Sequence, residues 1–309
     1  MRKIFSWIGL ILLLLNTSCA FGKSKSSHKK AEPAKLVYVE PKHEEKRHDE
    51  EPSEPKTVFE QKGEHVRPQL HMEEEERHEK PAHKGPHWSY EGKTGPKNWG
   101  KLGREYKSCA SGKEQSPINI TNGKTKDIGN IRFYYKASKL NIVNNGHTIQ
   151  VDYDKGSSIR IDGERYELIQ FHFHTPSEHT IDGSSYPMEL HLVHKNKAGK
   201  LAVVGVMMVL GKYNRLLAPL WENLPSKEGT ENLTQKIDMS FLLPTGERTF
   251  RYPGSLTTPP CSESVKWNVL LSPISISNQQ LLAFRDIFKK NNRPVQKLGK
   301  RVLWEDTTP

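Results

Sequence analysis

The chain has 309 residues, with 47 Lys and Arg against 36 Asp and Glu, a formal net charge of +11 at pH 7 and three cysteines. A basic excess of this size suits nucleic acid or anionic surfaces. No DNA- or RNA-binding motif accompanies it, so a nucleic-acid partner is set aside and solubility and surface attachment remain.

Composition shifts along the chain divide it into three zones. Residues 1–22 read as an export signal: Arg2 and Lys3 precede an apolar run from Ile4 to Leu15, and small residues follow. The run falls short of the ~20 apolar residues that a membrane-spanning helix needs; a retained N-terminal anchor is the bland alternative. Thr17, Ser18 and Cys19 look like the end of a bacterial lipoprotein signal, in which the cysteine is lipidated, although Asn16 displaces the expected leucine to Leu15. Cleavage after Ala20 or Gly22 by an ordinary signal peptidase fits equally well. Either route takes Cys19 out of the thiol count and leaves Cys109 and Cys261 as an even pair. In an oxidising compartment that pair predicts a disulfide, with two buried free thiols as the alternative. The location expected is the periplasm or cell surface, membrane-anchored if Cys19 carries lipid.

Residues 23–86 are dense in Lys, Glu, His and Pro, with almost no aliphatic periodicity. Such a segment cannot bury enough surface to offset its ordering entropy, so composition predicts a disordered tether. Its charges nearly cancel, which assigns the +11 mostly to the third zone. His28, His43, His48, His65, His71, His78 and His83 make up half of the 14 histidines. Weak metal scavenging or proton buffering is one reading of them, and a polar tether with incidental histidines is the other.

Residues 87–309 have the size of one domain. Short β-rich runs bounded by Gly, Pro and Asn predominate, such as 131–135, 147–153, 201–210 and 265–271. One segment, 277–290, has strong helical spacing, with Leu281, Leu282, Phe284 and Ile287 near one face and Ser277 as N-cap. The fold class is therefore mostly β, a largely antiparallel sheet with short peripheral helices.

Two stretches carry the chemistry: QFHFHTPSEH at 170–179 and MELHLVH at 188–194. Alternate residues of a strand share a face, so Gln170, His172 and His174 project together, as do Glu189, His191 and Val193. If those strands pair, three imidazoles converge. Three neutral histidines with a vertex left to water is the arrangement of a catalytic zinc site; a structural site is closed by a fourth protein ligand. Gln170 and Glu189, each two residues before a ligand, are placed to accept the second ring N–H. His194 has the wrong parity and His179 lies past Pro176, so both read as hydrogen-bonding core groups.

In these residues the chain resembles the α-class carbonic anhydrases of the bacterial, exported type. The match runs in order through HWSYEGKTGPKNW at 87–99, QSPINI at 115–120, NNGHTIQV at 144–151, the two histidine stretches, YPGSLTTPPC at 252–261, VKW at 265–267 and NNRPVQ at 291–296. The resemblance implies a central, largely antiparallel sheet of about ten strands, Zn2+ as cofactor, and Cys109 paired with Cys261. It implies zinc-hydroxide attack on CO2 to give bicarbonate and a proton. Zinc lowers the pKa of its bound water from 15.7 to about 7, a figure established on carbonic anhydrases themselves and not inferred from this sequence.

Roles follow from the same resemblance. Thr257 accepts a hydrogen bond from the hydroxide and donates its own to Glu178, which needs a hydroxyl that gives and receives beside an acceptor-only carboxylate. His147 is the proton shuttle, suited by an ordinary imidazole pKa near 6.5, and Tyr90, Asn145 and Gln150 order the waters between. Val193, Val203, Leu256 and Trp267 form the apolar wall for CO2, Thr258 contacts bicarbonate, and the backbone carbonyl of Asn291 orients His174. The chain departs from animal members at Thr175-Pro176, where they commonly carry Trp. A homodimer, and attachment through a lipidated Cys19, are the partner expectations beyond CO2 and bicarbonate. Competing readings are a catalytically inactive surface module of the same fold, which would typically lack one of the three histidines, and a zinc hydrolase with esterase activity.

Overall fold

Residues 85–244 and 248–306 are described in the computed structural model of the chain. The export signal, Cys19 and nearly all of the tether lie outside them. Among the described residues the strands are β1 Asn119–Ile120, β2 Lys124–Lys126, β3 Arg132–Tyr134, β4 Ser138–Asn144, β5 Ile149–Asp152, β6 Ser158–Ile161, β7 Glu164–His174 and β8 Thr180–Ile181. They continue as β9 Ser184–Ser185, β10 Met188–Lys195, β11 Leu201–Leu210, β12 Gly229–Ile237, β13 Thr249–Ser255, β14 Glu263–Ile276 and β15 Trp304–Asp306. The α-helices are α1 Trp99–Leu102, α2 Ser108–Ser111, α3 Ala218–Trp221 and α4 Asn278–Ile287.

Twelve strands make one sheet, ordered β12-β4-β5-β7-β10-β11-β14-β13-β15-β2, with β6 beside β7 and β3 beside β6 off that path. The expected path of about ten strands is present, and β3 and β6 add a flap to it. Most pairs are antiparallel. The exceptions in this sheet are β11 with β14 and β15 with β2. A parallel pair needs a crossover, and the one from β11 to β14 contains β12, α3 and β13.

The sheet separates two cores because side chains alternate along each strand. On one face Phe171 and Phe173 of β7, Leu190 and Leu192 of β10, and Val204 and Val206 of β11 pack together. All six are at most 1 % exposed, and each aromatic or branched side chain buried this way contributes about 1.5–3 kcal/mol. On the other face Val193, Val203, Met207 and Trp267 form a second cluster. Gln170, His172 and His174 of β7 and the odd-numbered residues of β10 turn toward that second face, and the candidate site is built there. A register shift at Val193/His194 reverses the parity at the start of β7, so Tyr166 and Leu168 join the first core.

Helix α4 closes the first core. A capping box starts it: Gln280 N–H donates to Ser277 Oγ at 3.1 Å and Ser277 N–H to Gln280 Oε1 at 3.2 Å. Leu281 and Phe284 are buried and Ile287 packs against the same cluster. Leu282 corrects the sequence reading, for it is 49 % exposed; a step of one residue turns the helix by about 100° and carries it off the face of Leu281.

His194 is a core group, as its parity implies. Its Nδ1–H donates to Ala202 O at 3.3 Å and Tyr135 Oη lies 2.8 Å from its Nε2. Burial pushes its pKa from 6.5 down to about 3. It is therefore neutral when folded, whereas the unfolded chain protonates it below pH ~6.5, so the unfolded state takes up the extra proton and stability falls as pH drops. The expected loss between pH 7 and 5 is about 2 kcal/mol. Urea midpoints of the wild type and His194→Gln at the two pH values check this: the pH 7-to-5 difference shrinks by that amount in the variant, and an unchanged difference refutes it.

Cys109 of α2 and Cys261 form a disulfide with Cα atoms 5.0 Å apart, across 152 residues of sequence. It ties α2 to the loop between β13 and β14. Among the described residues no helix is long and apolar enough to cross a membrane.

Candidate metal centre

β7 and β10 pair in the register that parity requires, with His191 opposite His172 and Glu189 opposite His174. One nitrogen from each of His172, His174 and His191 lies within 4.8 Å of the others. Each ring has its second nitrogen engaged. His172 Nδ1–H donates to Gln170 Oε1 at 2.8 Å, His174 Nδ1–H to Asn291 O at 2.6 Å, and His191 Nε2–H to Glu189 Oε1 at 2.8 Å. Those bonds fix the tautomers and leave Nε2, Nε2 and Nδ1 with lone pairs. His174 Nε2 is buried without a hydrogen-bond partner.

That donor set fits Zn2+. Neutral imidazole is the form that binds metal, and burial holds His172 well below and His174 below the ordinary imidazole range, their imidazole neighbours adding to the effect. Among the described residues no cysteine or fourth histidine joins the three, which is the open arrangement and not a closed structural one.

Glu189 anchors the cluster from beneath. Its Oε1 accepts from His191 and from His179 Nδ1 at 2.7 Å, and its Oε2 from the backbone N–H of Glu178 and His179 at 2.9 and 2.8 Å. Burial would raise its pKa, but His179 and His191 overcome it and hold the carboxyl well below the usual carboxylate range. His179 in turn accepts from Tyr252 O–H at 2.6 Å. Gly205, opposite His191, allows this packing, since a Cβ there would sit 3.0 Å from Glu189 Oε1. Glu189→Gln leaves the shape intact but replaces one acceptor with a donor facing other donors. Zinc affinity is expected to fall about 10- to 100-fold, read by competition with a chelator; an unchanged affinity refutes the anchoring role.

Val193, Val203, Leu256 and Trp267 belong to one apolar cluster on the ligand face, and Trp267 stacks edge-on against His191 with centroids 4.9 Å apart. Asn291 does more than its carbonyl was expected to do: Oδ1 accepts from Thr175 N–H at 2.7 Å, and Nδ2 donates to Phe173 O and His147 O at 2.9 and 3.1 Å. Thr175, at the departure from animal members, is fully buried and bonded to Pro187 O and Arg285, so that loop is well anchored.

His147 sits in a turn after Gly146, whose φ of +80° is a conformation glycine adopts without strain. Asn145 Oδ1 accepts from the N–H of both His147 and Thr148 at 3.0 Å, Gln150 donates to Asp152 at 2.6 Å, and the buried Tyr90 hydroxyl has no partner. Burial and His87 lower the pKa of His147, with Glu228 opposing.

The Thr257–Glu178 hydrogen bond is absent. Glu178 Oε1 accepts from Arg293 N–H at 2.8 Å, while Oε2 has no hydrogen-bond partner and lies 3.5 Å from His174 Nε2 and 3.9 Å from His191 Nδ1. Oε2 therefore faces the two imidazoles. Thr257 is 5 % exposed, and Thr258 O accepts from Cys261 N–H at 2.8 Å.

Arg293 was not singled out from sequence. It is 1 % exposed, donates to Ser116 O at 2.7 Å and Cys109 O at 3.0 Å, and lies over the Trp99 ring. Nothing in a single sequence separates such an arginine from a surface one; the Asn-Asn-Arg-Pro motif around it was the available signal.

The sequence profile of eukaryotic-type carbonic anhydrases matches residues 94–307. The chain belongs to the α-class carbonic anhydrases. The reaction of this family is the hydration of CO2, and its metal is zinc. A carbonic anhydrase of Nostoc sp. is 42% identical over 225 residues, covering 71% of this chain and 85% of that protein. The α-carbonic anhydrase of Thermovibrio ammonificans, solved with the inhibitor sulfanilamide, is 44% identical with a TM-score of 0.70, covering 71% of this chain and 99% of that one. A hyperthermostable carbonic anhydrase from a hydrothermal vent chimney is 48% identical, also with a TM-score of 0.70, covering 71% and 100%.

Proposed function

We propose that this carbonic anhydrase hydrates CO2 reversibly with zinc held by His172 Nε2, His174 Nε2 and His191 Nδ1, and with His147 as its proton shuttle. The observation that carries this reading is the convergence of three rings whose other nitrogens are already bonded to Gln170, Asn291 and Glu189. Bound there, zinc supplies a coordinated water that ionises near pH 7 and acts as nucleophile, as established for this family.

The chain's own residues do the rest. Val193, Val203, Leu256 and Trp267 offer apolar surface to CO2, and Thr258 contacts bicarbonate. Thr257 can give one proton and accept others, so it orients the nucleophile once its hydroxyl turns to Glu178 Oε2, which has no competing donor. The proton leaves past Tyr90, Asn145 and Gln150 to the His147 ring. A lowered pKa at His147 favours passing that proton on to buffer.

Export is part of the proposal: residues 1–22 as signal, 23–86 as tether and 87–309 as catalytic domain, in the periplasm or at the cell surface. The formed disulfide fits an oxidising compartment. The intact histidine triad gives no support to an inactive surface module.

Stopped-flow CO2 hydration by the purified protein, with and without chelator, tests the function. Activity lost on chelation and restored by zinc is expected, and zinc-loaded protein without activity overturns the reading. His147→Ala should lower kcat by roughly 10-fold or more in dilute buffer, with recovery on adding imidazole; an undiminished rate in dilute buffer removes the shuttle role.

A further inference from the structure

The turn that carries His147 is built against a second segment of chain, and that segment brings a carboxylate. β12 pairs with β4 so that Gly229 lies opposite Asn144. The residues just before β12 are drawn in by the Asn144 side chain, whose Nδ2 donates to Pro225 O at 2.8 Å while its Oδ1 accepts from Gly146 N–H at 3.0 Å. Glu228 is thereby laid along the turn: a Cβ on Gly146 would sit 2.6 Å from Glu228 Oε1 and 3.0 Å from its Cδ. The bare Cα of Gly146 leaves the space that the carboxylate fills, one residue from His147.

A proton shuttle has to be a balanced base. The coordinated water it serves ionises near pH ~7 in this family, and transfer to a side chain and on to buffer is most efficient when that side chain has a proton affinity close to the working pH. The surroundings pull His147 away from that balance. Trp88 lies flat on the imidazole, with ring centroids 3.6 Å apart and planes 13° from parallel, which shields one face of the ring from water. Burial is the largest influence against the charged ring, and His87 adds to it. Glu228 acts in the opposite sense. His87 and Glu228 are the titratable groups that face His147 among the described residues; its other neighbours, Trp88, Asn145 and Asn291, are neutral.

We propose that Glu228 is a positioning residue for proton exit, its negative charge favouring the protonated His147 ring enough for the ring to accept the proton released in hydration. This rests on the shuttle reading above. The proton moves onto neutral His147 and from the imidazolium to buffer, and Glu228 neither gains nor loses one. A glutamate is negative throughout the neutral range. Glu228 is exposed, so its field crosses water and is screened by salt.

The test is a charge series in the zinc-loaded full chain: wild type, Glu228→Gln and Glu228→Lys. The titration of the His147 ring is followed by NMR of its Cε1–H, identified by its absence in His147→Ala, and kcat for hydration is measured against pH in a non-imidazole buffer. At an ionic strength of about 0.01 M the Gln variant is expected to move the ring midpoint down by roughly 0.3–0.5 pH unit and the Lys variant about twice as far, the size of one and two unit charges acting across several ångström of water. The sign follows from the charge: without the carboxylate the imidazolium is less favoured, so the ring gives up its proton at lower pH. The kcat profile moves in parallel, its plateau falls by roughly two- to threefold in the Lys variant, and kcat/KM stays unchanged. At about 1 M salt, where the screening length is ~3 Å, the differences shrink to less than about half.

Equal ring midpoints in the three proteins overturn the proposal. So does a shift that is the same in both variants and indifferent to salt, which marks a rearranged turn and not a charge. A ring midpoint that follows the charge while the kcat profile stays fixed, in a protein that His147→Ala impairs, overturns the role in proton exit. Undiminished hydration by His147→Ala in dilute buffer brings down the shuttle reading itself, whatever the ring titration shows.

Discussion

His191→Ala lowers kcat/KM for CO2 hydration by at least about 1,000-fold, because the several kcal/mol of transition-state stabilisation that a catalytic zinc supplies go with the ion. The substitution removes one of three converging nitrogens, and two imidazoles on β7 leave a site with two vertices open and much weaker affinity. Glu189 remains bonded to His179 and to two backbone N–H groups, so the support beneath the site survives. That separates ligand loss from collapse of the cluster. The gap beside Trp267 costs about 2–4 kcal/mol, and far-UV circular dichroism with an unfolding curve establishes that the variant folds. A folded variant that binds zinc and hydrates CO2 at near wild-type rate would show that the three rings are not the ligand set.

Cys109→Ser combined with Cys261→Ser is the largest expected loss of stability. The bridge closes a loop of 152 residues, and the chain-entropy relation gives about 5 kcal/mol at 25 °C for that length, the upper end of the usual 2–5 kcal/mol range. For a domain of this size each kcal/mol moves Tm by about 2–4 °C, so a fall of roughly 10 °C or more is expected. Thermal unfolding of the double variant, and of the wild type with reductant, measures it. A shift within a couple of degrees in both would mean that neighbouring contacts carry the tie alone. Those contacts are identifiable: Arg293 reaches Cys109 O and Gln115 Nε2 reaches Cys261 O, at 3.0 and 3.1 Å.

The parts of this molecule that follow from local periodicity were legible in sequence. Spacing of two along a strand placed His172 and His174 on one face with Gln170, and the same rule grouped Glu189 with His191. Ser277 as a cap and Leu281 and Phe284 as a buried face follow from helical spacing. What periodicity cannot carry is partner choice across the chain. That β11 lies parallel to β14, that the Asn291 side chain holds the backbone of His147, and that Arg293 N–H binds Glu178 are contacts between residues 60 to 150 positions apart. Leu282 shows the converse limit, since hydrophobicity put it in the core and the turn of the helix left it outside.

The expected bond between Thr257 and Glu178 fails for a different reason. Arg293 N–H holds Glu178 Oε1, and Oε2 faces a pair of imidazoles with no hydrogen bond from Thr257. Residue identity specifies a capacity to bond, and local electrostatics decides when it is used.

The histidine-bearing strands β7 and β10 are fourth and fifth along a path of ten, flanked on each side by further paired backbone. Opening that interior seam means tearing the ladder from both directions, so the spacing of the three rings is held by the same barrier that governs survival of the whole domain. Loops other than the segment carrying Asn291, whose carbonyl accepts from His174, can fray without moving the three rings.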